Sequence, residues 1–151
     1  STDYFMKNIN LENIDFRGGG TAAGALCAYL EKGDVINCHS SGDMVVVPGN
    51  STGGLIGSIY HRNVPEINIT GSSSSVNIEI IFVEWAASRN YGGLIGQLEF
   101  SSSGEPCTVN ISKCFATGNV RFREIPDNVT EYDYMENFGG LIGYAMEAEE
   151  I

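Results

Sequence analysis

Apolar and polar residues alternate over short stretches of this chain, and glycine-rich segments separate the stretches. Residues 8–16 read Asn-Ile-Asn-Leu-Glu-Asn-Ile-Asp-Phe, with the alternation slipping by one position near Asn13. That pattern predicts a β-strand with a bulge or turn at the slip. Nineteen glycines and the serine run at 72–75 indicate many turns and few long helices. The chain is therefore predicted to be all-β.

One five-residue word, Gly-Gly-Leu-Ile-Gly, organises the rest of the pattern. It occurs unchanged at 53–57, 92–96 and 139–143, and in the degenerate form Gly-Ala-Leu-Cys-Ala at 24–28. The copies begin 29, 39 and 47 residues apart, and such recurrence in a short chain indicates stacked structural units. The positions expected to be structural are Gly53, Leu55, Gly57, Gly92, Leu94, Gly96, Gly139, Leu141 and Gly143.

Aligning the four copies predicts which face of each glycine-rich strand is buried. One face carries large, tiny and large residues in succession, as side chains from opposing walls of a narrow core require. Its first column is Leu26, Leu55, Leu94 and Leu141. The other face begins with the apolar column Cys27, Ile56, Ile95 and Ile142. That second column is either a further contact surface or is covered by corner loops.

Two more apolar stretches follow each copy of the word. Residues 35–42, 65–71 and 111–118 align, and each ends in a glycine expected to turn a corner. Another apolar stretch comes after that glycine. Three short strands in a unit of about 29 residues match one turn of a parallel β-helix.

The sequence therefore predicts a right-handed parallel β-helix (a β-solenoid) of about three and a half rungs. It forms one domain over 1–151, with units starting near 24, 53, 92 and 139. The longer spacings are expected to be corner insertions at 84–90, 101–104 and 126–137.

Several of these stretches resemble the GLUG repeat. They are Asn-Ile-Asp-Phe at 13–16, Gly-Ala-Leu-Cys-Ala-Tyr-Leu at 24–30, Gly-Asp-Val-Ile-Asn-Cys-His-Ser-Ser-Gly at 33–42, and the unchanged word followed downstream by 111–118. The resemblance covers most of residues 8–146. GLUG repeats occur in large extracellular and surface proteins, including adhesin-like proteins and non-catalytic regions of bacterial immunoglobulin A peptidases. The resemblance implies a β-helical stalk or binding surface outside the cell, and its motif brings no catalytic residues.

The net charge of the chain limits the classes of molecule that it is expected to bind. Eight Lys plus Arg against nineteen Asp plus Glu give a net charge of −11, which argues against binding nucleic acid or an anionic membrane surface. Cation binding and neutral glycans remain compatible with that charge. No apolar run approaches the roughly 20 residues of a membrane-spanning helix, so membrane insertion is not expected.

The spacing of the four cysteines does not indicate a metal or redox site, because no Cys-x-x-Cys is present. Cys38 and Cys114 align, with Ile67 at the same position in the unit between them. Two rungs are about 9–10 Å apart, beyond the roughly 7 Å at which two Cα atoms can be bridged. A Cys38–Cys114 disulfide is therefore not expected, while Cys27 with Cys38, or Cys107 with Cys114, stays open.

Two modest site hypotheses follow from polar residues. Glycosylation sequons begin at Asn50, Asn68, Asn110 and Asn128; in a eukaryotic secreted protein they are glycosylation candidates, and otherwise they are polar corner residues. A late loop offers oxygen ligands for Ca²⁺ from Asp127, Glu131, Asp133 and Glu136. That loop lacks the spacing of an EF-hand, so a solvated acidic loop without any cofactor is the expectation.

Catalysis is not expected from the sequence. β-Helical polysaccharide lyases and hydrolases place carboxylates and a base along one groove, whereas the basic residues here are scattered and His39 and His61 have no motif around them. A groove lined by two or more carboxylates plus Arg or Lys would favour the alternative, a carbohydrate-active enzyme.

The expected function is a non-catalytic extracellular or cell-surface module with a structural or adhesive role. Residues 1–16 begin partway through a unit and 139–151 stop early in another, so open strand edges are predicted. Those edges would pair with neighbouring repeats of a longer protein or with further copies stacked into a filament. Glycans and host or surface proteins are the other candidate partners.

Overall fold

The computed structural model describes residues 4–47, 49, 51–60, 66–81, 89–99, 107–123 and 136–146. Within these ranges the chain forms β-strands joined by short bends, and no helix. The prediction of an all-β chain is confirmed.

The chain passes four times through the same series of strand positions, and one pass is called a rung. The first rung contains β1 (Phe5–Lys7), β2 (Asn10–Gly19), β3 (Ala22–Gly24) and β4 (Cys27–Leu30). The second contains β5 (Asp34–Ile36), β6 (His39–Val47), β7 (Ser51–Gly53) and β8 (Ile56–Tyr60). The third contains β9 (Glu66–Thr70), β10 (Ser73–Ile80), β11 (Arg89–Gly92) and β12 (Ile95–Glu99). The fourth contains β13 (Thr108–Ser112), β14 (Phe115–Ala116), β15 (Val120–Phe122), β16 (Glu136–Gly139) and β17 (Ile142–Met146).

Equivalent strands of successive rungs pair in parallel and build four sheets. The first sheet runs β1-β5-β9-β13, and the second runs β2-β6-β10 and ends on β14 and β15. The third sheet runs β3-β7-β11-β16, and the fourth runs β4-β8-β12-β17. Each rung therefore stacks on the one before it, an arrangement consistent with a parallel β-helix.

The prediction of three strands per rung is wrong, because the glycine-rich strand is two strands. The chain bends at 25–26, 54–55, 93–94 and 140–141, between the third and fourth sheets. Between adjacent bends one leucine carbonyl accepts two consecutive amides of the preceding rung: the Leu55 carbonyl accepts those of Leu26 at 2.9 Å and Cys27 at 3.4 Å. Two neighbouring side chains can then enter the core.

This bend also overturns the idea of a second contact surface on the column Cys27, Ile56, Ile95 and Ile142. Ile56 and Ile95 are fully buried, in the same core cluster as Leu55 and Leu94. Consecutive residues lie on opposite faces only while a strand stays extended, and here the bend falls between them.

The corner between the first and second sheets contains one left-handed residue in every rung. These residues are Asn8, Asn37, Gly71 and Lys113, with φ between 52° and 63°. Gly71 is therefore equivalent to Asn37, since the amide of Asn37 donates to the carbonyl of Thr70. The predicted alignment of Gly71 with Gly42 and Gly118 is wrong, because the spacing through these sheets is 34 and then 42 residues.

Gly42 and Gly118 lie within the second sheet instead of at its corner. Gly42 has a φ of 127° and faces the backbone of Ile14. There β2 shifts register between Leu11 and Ile14, and Asn13 adopts a φ of 55°. The bulge predicted near Asn13 is confirmed. Gly118, between β14 and β15, lies against the backbone of Val76.

Two apolar clusters fill the interior. One lies between the first and fourth sheets and includes Val35, Ile67, Ile69, Leu94 and Leu98. The other lies between the second and third sheets and includes Met44, Val46, Val76, Ile78 and Tyr91. The most deeply buried members come from the second and third rungs, because these have a rung on either side.

The longer spacings come from the connections that precede β9, β11, β13 and β16. The predicted insertions extend too far at two ends, since Arg89 and Asn90 belong to β11 and Asn137 belongs to β16. The remainder of those insertions, at 84–88, 101–104 and 126–135, lies outside the described residues.

Candidate functional site

The glycine words lie at the bend between the third and fourth sheets, where backbones of adjacent rungs nearly touch. A methyl group at Gly96 would lie 2.5 Å from the Gly57 carbonyl oxygen and 2.6 Å from the Thr52 amide nitrogen. Gly57 meets the backbone of Ala23 in the same way, and Gly143 meets that of Tyr91. The last glycine of each word therefore lets a fourth-sheet strand pack on the third sheet of the preceding rung. No ligand-binding role follows from that geometry.

An open groove of about 960 Å³, lined mainly by polar and charged side chains, lies on the outer face of the second sheet. All four rungs contribute to it, and Asn13 and Gly42, where the strands depart from regular geometry, are among its lining residues. The concavity therefore coincides with the irregular middle of the second sheet. Met44 and Ile78 also border it, but they are 1% and 0% exposed, so they offer almost no side-chain surface to a ligand.

One column of planar polar groups runs across the groove, with one residue from each rung. It consists of Asp15, Asp43, Asn77 and Asn119. The Asn77 side-chain amide donates to Asp43 Oδ1 at 3.0 Å, and the Asn119 side-chain amide donates to Asn77 Oδ1 at 3.3 Å. Each rung therefore presents a carboxylate or amide, and hydrogen bonds between rungs connect those of the second, third and fourth rungs.

The adjacent column brings guanidinium groups to two of the three carboxylates in the groove. Arg17 Nε lies 3.2 Å from Asp15 Oδ1. Glu79 is bonded on both oxygens, by Arg121 at 2.9 Å and Arg123 at 3.2 Å, and its side chain is only 22% exposed. Asp43 differs, because within the described part of the chain its recorded partner is the neutral amide of Asn77.

A second ladder of Asp and Asn side chains lies on the first sheet, outside the groove, and spans three rungs. Asn68 donates to Asp34 Oδ1 from its backbone amide at 2.9 Å and from its side chain at 3.2 Å. The Asn110 side chain donates to Asn68 Oδ1 at 3.0 Å and to Glu66 at 2.5 Å. Two predicted sequon residues thus lie side by side, Asn68 half-buried and Asn110 exposed. Asn50 and Asn128 lie outside the described residues.

The cysteines are unpaired, and two of them belong to a corner column. Cys38 Sγ lies 3.4 Å from the Ile36 carbonyl oxygen, and Cys114 Sγ lies 3.2 Å from that of Ser112. The residue between them in the column is Ser72, whose hydroxyl accepts from the Cys38 amide at 3.1 Å. The predicted equivalence with Ile67 is therefore wrong. All four cysteines, including Cys27 and Cys107, are free thiols.

Burial, with a smaller contribution from Cys38, raises the pKa of the Cys27 thiol to about 11. Burial, with a smaller contribution from Glu66, also raises the pKa of Cys107. Because the thiolate is the reactive form, both shifts lower the reactive fraction of these thiols at neutral pH.

The remaining residues considered from the sequence are the histidines and the calcium candidates. The ring nitrogens of His39 lie 2.8 Å from Ser73 Oγ and 3.0 Å from Asn37 Oδ1, so His39 ties two rungs together. Of the calcium candidates, Asp127, Glu131 and Asp133 lie outside the described residues, as does the side chain of Glu136.

The described ranges contain neither a metal-binding cluster nor a membrane-spanning helix. No group of three or more His, Cys, Asp or Glu side chains that could hold a metal ion occurs there. No helix in the same part of the chain is long and apolar enough to cross a membrane.

Sequence reasoning missed the groove, because its residues are neighbours only after folding. Asp43 and Asn77 are 34 positions apart, and Asn77 and Asn119 are 42 apart. The repeated glycine word gives spacings of 39 and 47 between the same rungs. Searching for Asp or Asn at a second set of spacings would have been needed to find the column.

Comparisons with known proteins found no match to any family model, curated protein or solved structure. The resemblance to the GLUG repeat therefore stays a prediction carried by the residues themselves.

Proposed function

We propose that this chain is a right-handed parallel β-helix of the GLUG-repeat type that acts as a non-catalytic structural or adhesive module outside the cell or on its surface. In this proposal its rungs stack end to end on those of neighbouring repeats or further copies. The proposed location rests on the family resemblance. The proposed stacking rests on one observation, the distribution of exposed apolar side chains.

Large exposed apolar side chains concentrate at the two ends of the stack. Those in or beside the first rung are Tyr4, Phe5, Phe16 and Tyr29, and those in the fourth are Phe115, Phe138 and Met146. Val47 is the exception among the described residues. Exposed apolar surface next to strand edges that have one paired side favours association.

Continuing the columns from the last rung to a first rung gives compatible neighbours. Phe138 would lie over Ala23, which is small, and Asn119 would lie over Asp15, which can accept its amide hydrogen bond. One pair is unfavourable, because Arg121 would lie over Arg17. Both guanidiniums already have carboxylate partners, which reduces that repulsion.

Particle length against protein concentration tests the stacking. Light scattering and electron microscopy should show particles growing by end-to-end addition as the concentration rises. Phe5→Lys and Phe138→Lys, each at one end, should shorten them, because either lysine would have to be desolvated in the junction.

Val47→Lys is the matched control, since it removes an exposed apolar side chain from the side of the stack and should leave particle length unchanged. A short, strictly monomeric particle at every concentration would contradict the stacking.

The groove favours a second candidate function, a carbohydrate-active enzyme. Its lining includes three carboxylates, Asp15, Asp43 and Glu79, together with Arg17 and Arg121. Paired carboxylates are what glycosidic bond cleavage requires. Release of new chain ends from a polysaccharide, abolished by Asp43→Asn, is the result that would replace the structural proposal with this one.

A further inference from the structure

We propose that the groove on the second sheet binds a linear polysaccharide carrying free amino groups, with the Asp43 carboxylate accepting hydrogen bonds from a sugar ammonium. The inference uses the same groove as the second candidate function, but it requires binding and no bond cleavage. It is independent of end-to-end stacking, because the groove lies along the side of the rungs.

Asp43 alone suggests the charge of the ligand, because the other two groove carboxylates are matched by guanidinium groups. Asp15 and Glu79 have guanidinium partners, whereas the recorded partner of Asp43 within the described ranges is the neutral Asn77 amide. Asp43 therefore has a negative charge available to a ligand, and charge-assisted hydrogen bonds to a carboxylate are stronger than neutral ones. The net charge of −11 adds a general repulsion of polyanions.

The chemistry of the lining favours a ligand rich in hydrogen-bonding groups, such as a sugar. Met44 and Ile78, which border the groove, are buried in the core, and most of its exposed side chains are polar or charged. The groove repeats one planar amide or carboxylate per rung, about 4.8 Å apart. Such groups hydrogen-bond to hydroxyls as donors or acceptors, and a polymer with polar groups on every unit can contact successive rungs.

Titration calorimetry with three hexasaccharides tests the ligand class. The probes are a β-1,4-linked glucosamine hexamer at a pH where its amines are protonated, the corresponding glucose hexamer, and a galacturonate hexamer. The wild-type chain should bind the glucosamine hexamer more tightly than the other two. Asp43→Asn should weaken that binding about tenfold, the difference between a charged and a neutral hydrogen bond.

Asp34→Asn is the matched control, because Asp34 heads the equivalent Asp-Asn-Asn ladder on the first sheet. It changes the net charge by the same amount, and it should leave the affinity unchanged. Equal weakening by both variants would mean general charge attraction and would overturn the proposal. Tighter binding of the glucose or galacturonate hexamer would overturn it too.

Nuclear magnetic resonance on the wild-type chain provides a test that needs no variant. The side-chain amide signals of Asn77 and Asn119 should shift on adding the glucosamine hexamer, while those of Asn68 and Asn110 should not. Unmoved Asn77 and Asn119 signals at saturating hexamer would overturn the proposal. Particle length measured in the same samples reports on stacking separately, so failure of either proposal is distinguishable from failure of the other.

Discussion

At the scale of single residues, the glycine word is explained by close backbone approach. The left-handed glycines of the described chain are Gly33, Gly42 and Gly71, so no word glycine is required for its φ. Most of these positions lack room for a Cβ atom, because adjacent rungs interlock at the bend, and Gly140 in the last rung is the exception. Gly57, Gly96 and Gly143 approach the backbone of the preceding rung in equivalent ways, which explains why every unchanged copy of the word ends in glycine.

Gly96→Ala is expected to destabilise the fold by about 1–3 kcal/mol, the usual cost of forcing an extra methyl into a packed site. The methyl would meet the backbones of Gly57 and Thr52, which cannot move aside as a flexible side chain would. Urea unfolding measures the change in the free energy of unfolding.

Gly140→Ala is the control for that substitution, since a Cβ at Gly140 has no neighbour within 4 Å. It should be neutral, or should stabilise by a few tenths of a kcal/mol, roughly as Gly→Ala does at permissive sites. Equal losses in the two variants would show that close approach is not the reason for the word.

The Cys27 thiol gives a residue-scale prediction of pH dependence. Its pKa rises from 9.0 to about 11 on folding, so between those values the folded chain keeps a proton that the unfolded chain has lost. Stability should therefore fall as pH rises from 9 toward 11. Cys27→Ser should show a shallower fall in urea unfolding over the same pH range. A wild-type slope no steeper than that of the variant would refute the proposed linkage.

At the scale of elements, each rung turns from the first sheet into the second at a left-handed residue. Asparagine, glycine and lysine all occupy that corner, at Asn8, Asn37, Gly71 and Lys113. Glycine adopts this conformation freely, and asparagine more readily than most other residues. Chemical identity at the corner therefore varies from rung to rung, and only the backbone conformation recurs.

Gly71→Asn should be tolerated and Gly71→Val should destabilise by about 1–2 kcal/mol, the cost of a left-handed conformation for an ordinary L-residue. A Cβ at Gly71 meets nothing within 4 Å, so conformation and not crowding separates the two variants. Thermal unfolding of both compares them. Similar melting temperatures would contradict the explanation.

At the scale of the whole molecule, the burial of apolar side chains differs between the inner and the outer rungs. The second and third rungs bury their apolar side chains almost completely, whereas the first and fourth leave aromatic side chains exposed. The same stacking aligns planar polar side chains into ladders along two sheets. If copies stack as proposed, the groove on the second sheet continues along the assembly and offers a repeated site to a polymer.

Local pattern was enough to predict the bulge near Asn13 and the parallel stacking of strands. Alternation reports which residues share a face, and repeated words must occupy equivalent places in equivalent surroundings. The local pattern did not predict a rung of four strands, because the bend at Leu55 does not interrupt the run of apolar residues. A continuous apolar run has the same appearance whether it is straight or folded around a corner.

The sequence by itself determined the all-β class, the existence of a repeat and the columns of the fourth sheet, since the repeated word marks equivalent positions. Only the tertiary structure decided the register of the first and second sheets and, with it, the groove. The insertions add different lengths before different strands, so Asp43, Asn77 and Asn119 become neighbours through the pairing of β6, β10 and the last rung. These contacts are not visible in the sequence, because their hydrogen bonds join residues of different rungs that are far apart along the chain.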